Sequence, residues 1–159
     1  MRIAVVGIGE SLRGDDGAGP EAVRLWQQQY PSTASRADVL VISPASPGLE
    51  LLESIQGADG ALFIDSVLSG AAPGTLHHLD LECLPAFSSD SKSSHGWGLA
   101  ETLRLRTLLA PAAGKAILRI IGIEAAACGL GKGLSETVRL ALPAASAAIQ
   151  EQAYMLLSQ

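Results

Sequence analysis

Residues 2–20 decide the fold: Arg2-Ile3-Ala4-Val5-Val6-Gly7-Ile8-Gly9-Glu10-Ser11-Leu12-Arg13-Gly14-Asp15-Asp16-Gly17-Ala18-Gly19-Pro20. The run from Arg2 to Ile8 is rich in β-branched residues and ends at Gly7-Ile8-Gly9, which is how a strand buried on both faces reads. A charged start before a short apolar run can pass for a targeting segment, but this one lacks the length and cleavage site of a signal peptide. A polar, glycine-rich turn follows from Gly9 to Gly19. Pro20 then suits the first turn of a helix, where its missing N–H is not needed. Ala22, Val23, Leu25 and Trp26 give that helix an apolar stripe, and Pro31 ends it.

The alternation continues outward from that unit. Asp38–Ser43 reads as a second strand and Leu49–Ile55 as a short helix. Ala61–Ile64 reads as a third strand closed by Asp65, and Thr75–Leu79 as a fourth, more polar and so expected at an edge. A long polar loop runs from Glu82 to Gly96. Gly98–Ala110 is expected to be helical, with Leu99, Leu103 and either Leu108 or Leu109 inward. Lys115–Ile123 is a fifth, β-branched strand. From Ser135 onward Val138, Leu142, Ala145, Ile149 and Ala153 recur on one helical face, and Pro143 is expected to start a new helical segment or to kink this one. The order predicts one α/β domain over residues 1–159, a sandwich around a largely parallel sheet.

Composition bounds the function. With 159 residues, 48% of them hydrophobic, the chain can bury the core of a single domain. Its net charge is −5. The basic residues are scattered and form no clustered face, which argues against a nucleic-acid partner. No apolar stretch reaches the ~20 residues that span a bilayer. Cys83 and Cys128 form neither a CxxC pair nor a framework, as expected of ordinary thiols in a reducing cytoplasm.

In open α/β sheets ligands bind outside the carboxyl ends of the strands. Glu10, Arg13, Asp15 and Asp16 follow the first strand, Asp65 the third and Glu124 the fifth, while His95 closes the long loop. Asp15-Asp16-Gly17 is also good turn chemistry, and an Asp can cap the following helix. In the functional reading one carboxylate faces the ligand while the other caps or orients the loop, because neighbours in an extended loop point apart. Asp65 reads equally as a strand-terminal turn residue or a site residue. His95, beside Gly96, is either a solvated loop histidine or a ligand. His77 and His78 point to opposite faces of the fourth strand and are left outside the site. Two carboxylates and an imidazole make an open three-ligand set that suits zinc or nickel, and such a metal can polarise a carbonyl or activate water. A nucleotide site is disfavoured: position 12 is Leu, so Gly7-Ile8-Gly9 opens no GxGxxG, and the acidic residues would repel a phosphate. No GxSxG elbow or Cys–His pairing suggests a nucleophilic hydrolase.

Taken in order, these pieces resemble the nickel–iron hydrogenase maturation endopeptidases over nearly the whole chain. Val6–Gly19 is similar to the family's Gly-x-Gly-Asn…Asp-Asp/Glu-Gly-x-Gly opening, Phe63-Ile64-Asp65-Ser66-Val67 to its hydrophobic-Asp motif, and Ser94-His95-Gly96-Trp97-Gly98-Leu99 to its histidine loop. Ile120–Glu124 resembles its last strand and Leu134–Val138 the start of its final helix. The resemblance implies a three-layer α/β/α sandwich with a five-stranded, mostly parallel twisted sheet. It implies removal of a C-terminal extension from the large-subunit precursor of a hydrogenase, with Asp16, Asp65 and His95 contacting nickel that the precursor carries and serving as the catalytic set. Asp15 and Glu124 remain weaker site candidates. Glu10 departs from the pattern, standing where the family has Asn; an ionised Glu accepts where an amide can donate. That departure keeps open a non-proteolytic, metal-dependent chaperone of the large subunit. A metal-independent peptidase, akin to the spore-germination proteases and using the carboxylates as acid and base, is a third reading.

Overall fold

The computed structural model describes residues 1–80, 98–109, 116–131 and 133–159. The strands are β1 (Ile3–Gly7), β2 (Val39–Ile42), β3 (Gly60–Val67), β4 (Leu76–Asp80) and β5 (Ile117–Glu124). The helices are α1 (Ala18–Gln29), the single-turn α2 (Pro31–Ala34), α3 (Leu49–Ser54), α4 (Leu99–Leu109) and α5 (Glu136–Leu157). A 3-10 turn, Gly14–Gly17, lies between β1 and α1.

The five strands form one sheet in the order β2-β1-β3-β5-β4. All neighbours run parallel except β4, which pairs antiparallel with β5 and forms one edge. The polar fourth strand therefore sits at an edge, where sequence placed it. Strand alternation sends Val5, Leu62, Ile64, Ile121 and Ile123 into a layer with α1 and α5. It sends Val6, Phe63 and Ile120 into the opposite layer with α3 and α4. The result is the three-layer α/β/α sandwich, and the central strands are apolar throughout because both of their faces are covered.

Several boundaries differ from the sequence expectation. Asp65 does not close β3 but lies within it, because the β3–β5 ladder continues to the Val67–Glu124 pair. Glu124 is likewise the last residue of β5 rather than the first after it. Pro143 starts no new segment, since α5 runs as one helix through it. The position is exposed, so its ring meets solvent rather than core. Val138, Leu142, Ala145, Ile149 and Ala153 of α5 are all buried, as their spacing predicts. In α4, Leu99 and Leu103 face inward but Leu108 is 77% exposed; the side chain of Leu109 lies outside the described residues.

The close approach that shapes the sheet's carboxyl end occurs at Gly19 in the first turn of α1. A Cβ there would intrude on the carbonyl oxygens of both Ile64 and Ile8. Helix and strands can meet at this distance only without a side chain, and the first loop is pressed against β3 as a result. Gly19→Ala is expected to destabilise the protein by about 2–4 kcal/mol, as overpacking against rigid backbone does. Urea denaturation at fixed pH measures this; an unchanged midpoint would show that the approach is not constrained.

Candidate functional site

The chain leaves β1 towards β2 on one side and reaches β3 on the other, so strand order reverses between β1 and β3. That switch point is where a crevice opens in such sheets. The register locates it: β1 and β3 pair until Gly7 meets Ile64, and Ile8 N–H still donates to Ile64 O at 2.8 Å. β3 then continues with β5 alone. Asp65 is the first β3 residue beyond the β1 ladder, beside the loop that carries Asp15 and Asp16.

The two adjacent aspartates do different work. Asp15 is fully buried. Its Oδ2 accepts the N–H groups of Ala126 (2.8 Å) and Ala127 (3.1 Å) and the Ser135 hydroxyl (2.9 Å). Its Oδ1 accepts Ser135 N–H at 2.6 Å. Ser135 is itself the N-cap of α5, accepting from Val138 N–H. Burial alone would raise the Asp15 pKa, but the hydrogen bonds from Ser135, Ala126 and Ala127 outweigh it and hold the carboxyl below its ordinary value. Asp16 is 6% exposed, and its Oδ2 accepts Glu10 N–H at 2.9 Å. The two side chains do take different partners, as the sequence reading expected of an orienting carboxylate and its neighbour, although the pair sits in a 3-10 turn and not an extended loop.

Asp65 is half-buried as a residue, yet its carboxyl is enclosed by protein. Burial first, and the charge of Asp16 second, push its pKa up to about 8 against a single opposing backbone hydrogen bond from Ser66. Asp16 and Asp65 are therefore brought together, as predicted, and they repel. A cation or a shared proton would relieve that repulsion, so the donor chemistry fits a metal bound between them. His95 lies outside the described residues. Among the described residues no three His, Cys, Asp or Glu side chains converge as a metal cluster.

Glu124 is not part of this pair. It is 1% exposed and accepts Ser69 N–H (2.8 Å), Gly70 N–H (3.0 Å) and the Ser69 hydroxyl (2.7 Å). His77 Nε2 lies 2.9 Å from its Oε2. As with Asp15, burial opposes ionisation but these hydrogen bonds win, and its pKa is lowered. Glu124 thus fastens the β3–β4 turn to β5. The partnership with His77 was missed in sequence; His77 is opposite Gly122 in the antiparallel ladder and meets Glu124 diagonally, which becomes visible only once the register is known. Glu10, the departure from the resembled pattern, turns its carboxylate onto its own loop, with Oε1 3.4 Å from Leu12 N. Cys128 is half-buried, and its thiol is pushed up by burial and by the charges of Asp16 and Asp15, with Arg13 opposing.

Fold and site together define a doubly wound α/β domain with paired carboxylates at its topological switch point. The family model described as HycI, hydrogenase maturation protease, matches residues 21–152. The chain belongs to the hydrogenase maturation protease family. It is 32% identical over 107 residues to the hydrogenase expression/formation protein HoxM of Cupriavidus necator, covering 67% of this chain and 52% of that one. It is 33% identical over 104 residues to the hydrogenase 2 maturation protease of Escherichia coli, covering 65% and 62%. These alignments span between half and two thirds of the curated relatives' length. The [NiFe] hydrogenase maturation protease HybD from Thermococcus kodakarensis superposes with a TM-score of 0.78 at 26% identity, covering 96% of this chain and 99% of that one.

Two predictions separate the aspartates. Asp15 has a depressed pKa, so its stabilisation is present above the unfolded value of 3.8 and is lost as pH falls through the lower folded value. Asp15→Asn sets an amide donor against N–H donors and is expected to cost about 2–4 kcal/mol near neutrality. Denaturation midpoints should show the gap from wild type closing below pH 3.8. Asp65 has a raised pKa, so the folded state keeps a proton that the unfolded chain releases, and wild-type stability drains away as pH rises from 3.8 to about 8. In metal-free protein Asp65→Asn is expected to melt higher than wild type by at least ~2–4 °C, equivalent to about 1 kcal/mol. The difference should widen between pH 4 and pH 8; a pH-independent difference would contradict the raised pKa.

Proposed function

We propose that this chain is an endopeptidase that removes the C-terminal extension of a nickel-loaded [NiFe] hydrogenase large-subunit precursor, acting in the cytoplasm. The observation that carries the reading is the Asp16–Asp65 pair at the switch point, on a chain of the maturation protease family. Asp16, Asp65 and His95 would hold the nickel that arrives with the precursor. Once held, that ion supplies Lewis-acid polarisation of a neighbouring peptide carbonyl. Asp65 must give up its proton to make the contact, so recognition is linked to proton release. Asp16 keeps its direction through the Glu10 N–H, and Asp15 holds the loop that carries it.

A second reading rests on the same raised Asp65 pKa. A carboxyl protonated near neutrality beside a second carboxyl group offers an acid–base pair, able to cleave a peptide through water without metal. Mass spectrometry of the precursor discriminates. Asp16→Ala and His95→Ala are each expected to slow trimming of nickel-loaded precursor by more than about 100-fold, with nickel-free precursor left intact. Wild-type trimming by both variants would overturn the nickel-contact assignment. Trimming of nickel-free precursor at the loaded rate, abolished by Asp16→Asn or Asp65→Asn, would establish the metal-independent acid–base reading.

A further inference from the structure

Arg13 stands in the loop that carries Asp15 and Asp16, and its side chain forms no ion pair with another described residue. Its Nε is buried without a hydrogen-bond partner. Carboxylates are carried on the same short loop, Asp15 and Asp16 following Arg13 by two and three residues, and the charges of Arg13, Asp15, Asp16 and Asp65 are all felt at the Cys128 thiol. Asp15 is fully engaged by Ser135, Ala126 and Ala127, and Asp16 accepts from Glu10. An arginine with structural duty would bond such a neighbour, since a buried donor left unsatisfied is costly. The rim beside it is apolar and open. Leu12 and Leu130 are 72% and 78% exposed, and their loops are joined by a Gly131 N–H to Leu12 O bond of 3.0 Å. A cationic fork next to exposed leucines suits a peptide that presents an oxygen acceptor beside an apolar side chain.

We propose that Arg13 is a substrate-binding residue of this site, its guanidinium receiving an oxygen acceptor of the peptide being processed while Leu12 and Leu130 cover an adjoining apolar side chain. The inference rests on the endopeptidase reading for its substrate, but its own test is separable. Trimming of nickel-loaded large-subunit precursor is followed by intact mass at varied precursor concentration, and precursor binding is titrated in parallel. Arg13→Ala is expected to raise KM, and weaken binding, by about tenfold or more with kcat changed less than about threefold. Arg13→Lys, which keeps the charge but not the fork, is expected to fall between. Leu12→Ser combined with Leu130→Ser should raise KM without altering the thermal midpoint. If wild type binds precursor but never trims it, the endopeptidase reading fails, and the binding titration still reads the contribution of Arg13. If Arg13→Ala, folded with a wild-type melting profile, matches wild type in both KM and affinity, the inference is overturned. A loss confined to kcat also overturns it, because uniform binding of the peptide then owes nothing to this side chain.

Discussion

The four hydrogen bonds that end on the buried Asp15 carboxylate join the first loop, the β5–α5 connection and the N-terminus of α5 into one unit. No strand ladder links these segments to one another. The loop is kept against β3 by the missing side chain of Gly19, and Gly14, at φ +64, lets the backbone turn against Ala127. Asp15 N–H completes the clasp by donating to Ala127 O at 3.0 Å. A charged group at full burial is stable here because every donor around it points inward. Asp16, one residue on, inherits its position from this arrangement.

The buried carboxylates at this end of the sheet divide by how completely they are satisfied. Asp15 and Glu124 are among the most hidden polar groups in the protein, and each meets several donors, so ionisation remains favourable despite burial. Asp65 meets one backbone donor and a like charge, and the same burial drives its pKa the other way. Desolvation is common to all three; the donor count decides the sign. Groups already satisfied have nothing left to offer a ligand, whereas the Asp16–Asp65 pair gains from any cation or proton that enters. The sparse hydrogen bonding of Asp65 and the like charge beside it, rather than the number of acidic residues nearby, set it apart from Asp15 and Glu124.

Membership of the maturation protease family gives this difference a context. The relation is distant, with identities near 30% to curated relatives and 26% to a solved structure that superposes over almost the whole chain. What persists at that distance is the scaffold. Glu10 shows how a departure can be absorbed. Its backbone N–H supplies the bond to Asp16, so the contact that orients the site does not depend on the side chain at that position, and its carboxylate folds back towards Leu12.

Strand and helix order, the buried parallel core, the polar edge strand and the inward face of α5 were legible in sequence, because period-2 and period-3.6 apolar patterns report directly which faces must leave water. Asp16 and Asp65 were legible as site candidates for a related reason: residues at the ends of parallel strands converge whatever lies between them. Their boundaries were less so. Sequence ended β3 at Ile64 and placed Asp65 outside it, but hydrogen bonds to β5 carry the strand onward, and ladder length depends on the partner's register rather than on local propensity. The partners of Asp15 and Glu124 were hidden for the same reason, since they come from Ser135, more than a hundred residues from Asp15, and from Ser69 and His77. Composition showed that acids were present. Only the tertiary structure decided which were satisfied, because satisfaction is a property of donors brought from distant parts of the chain.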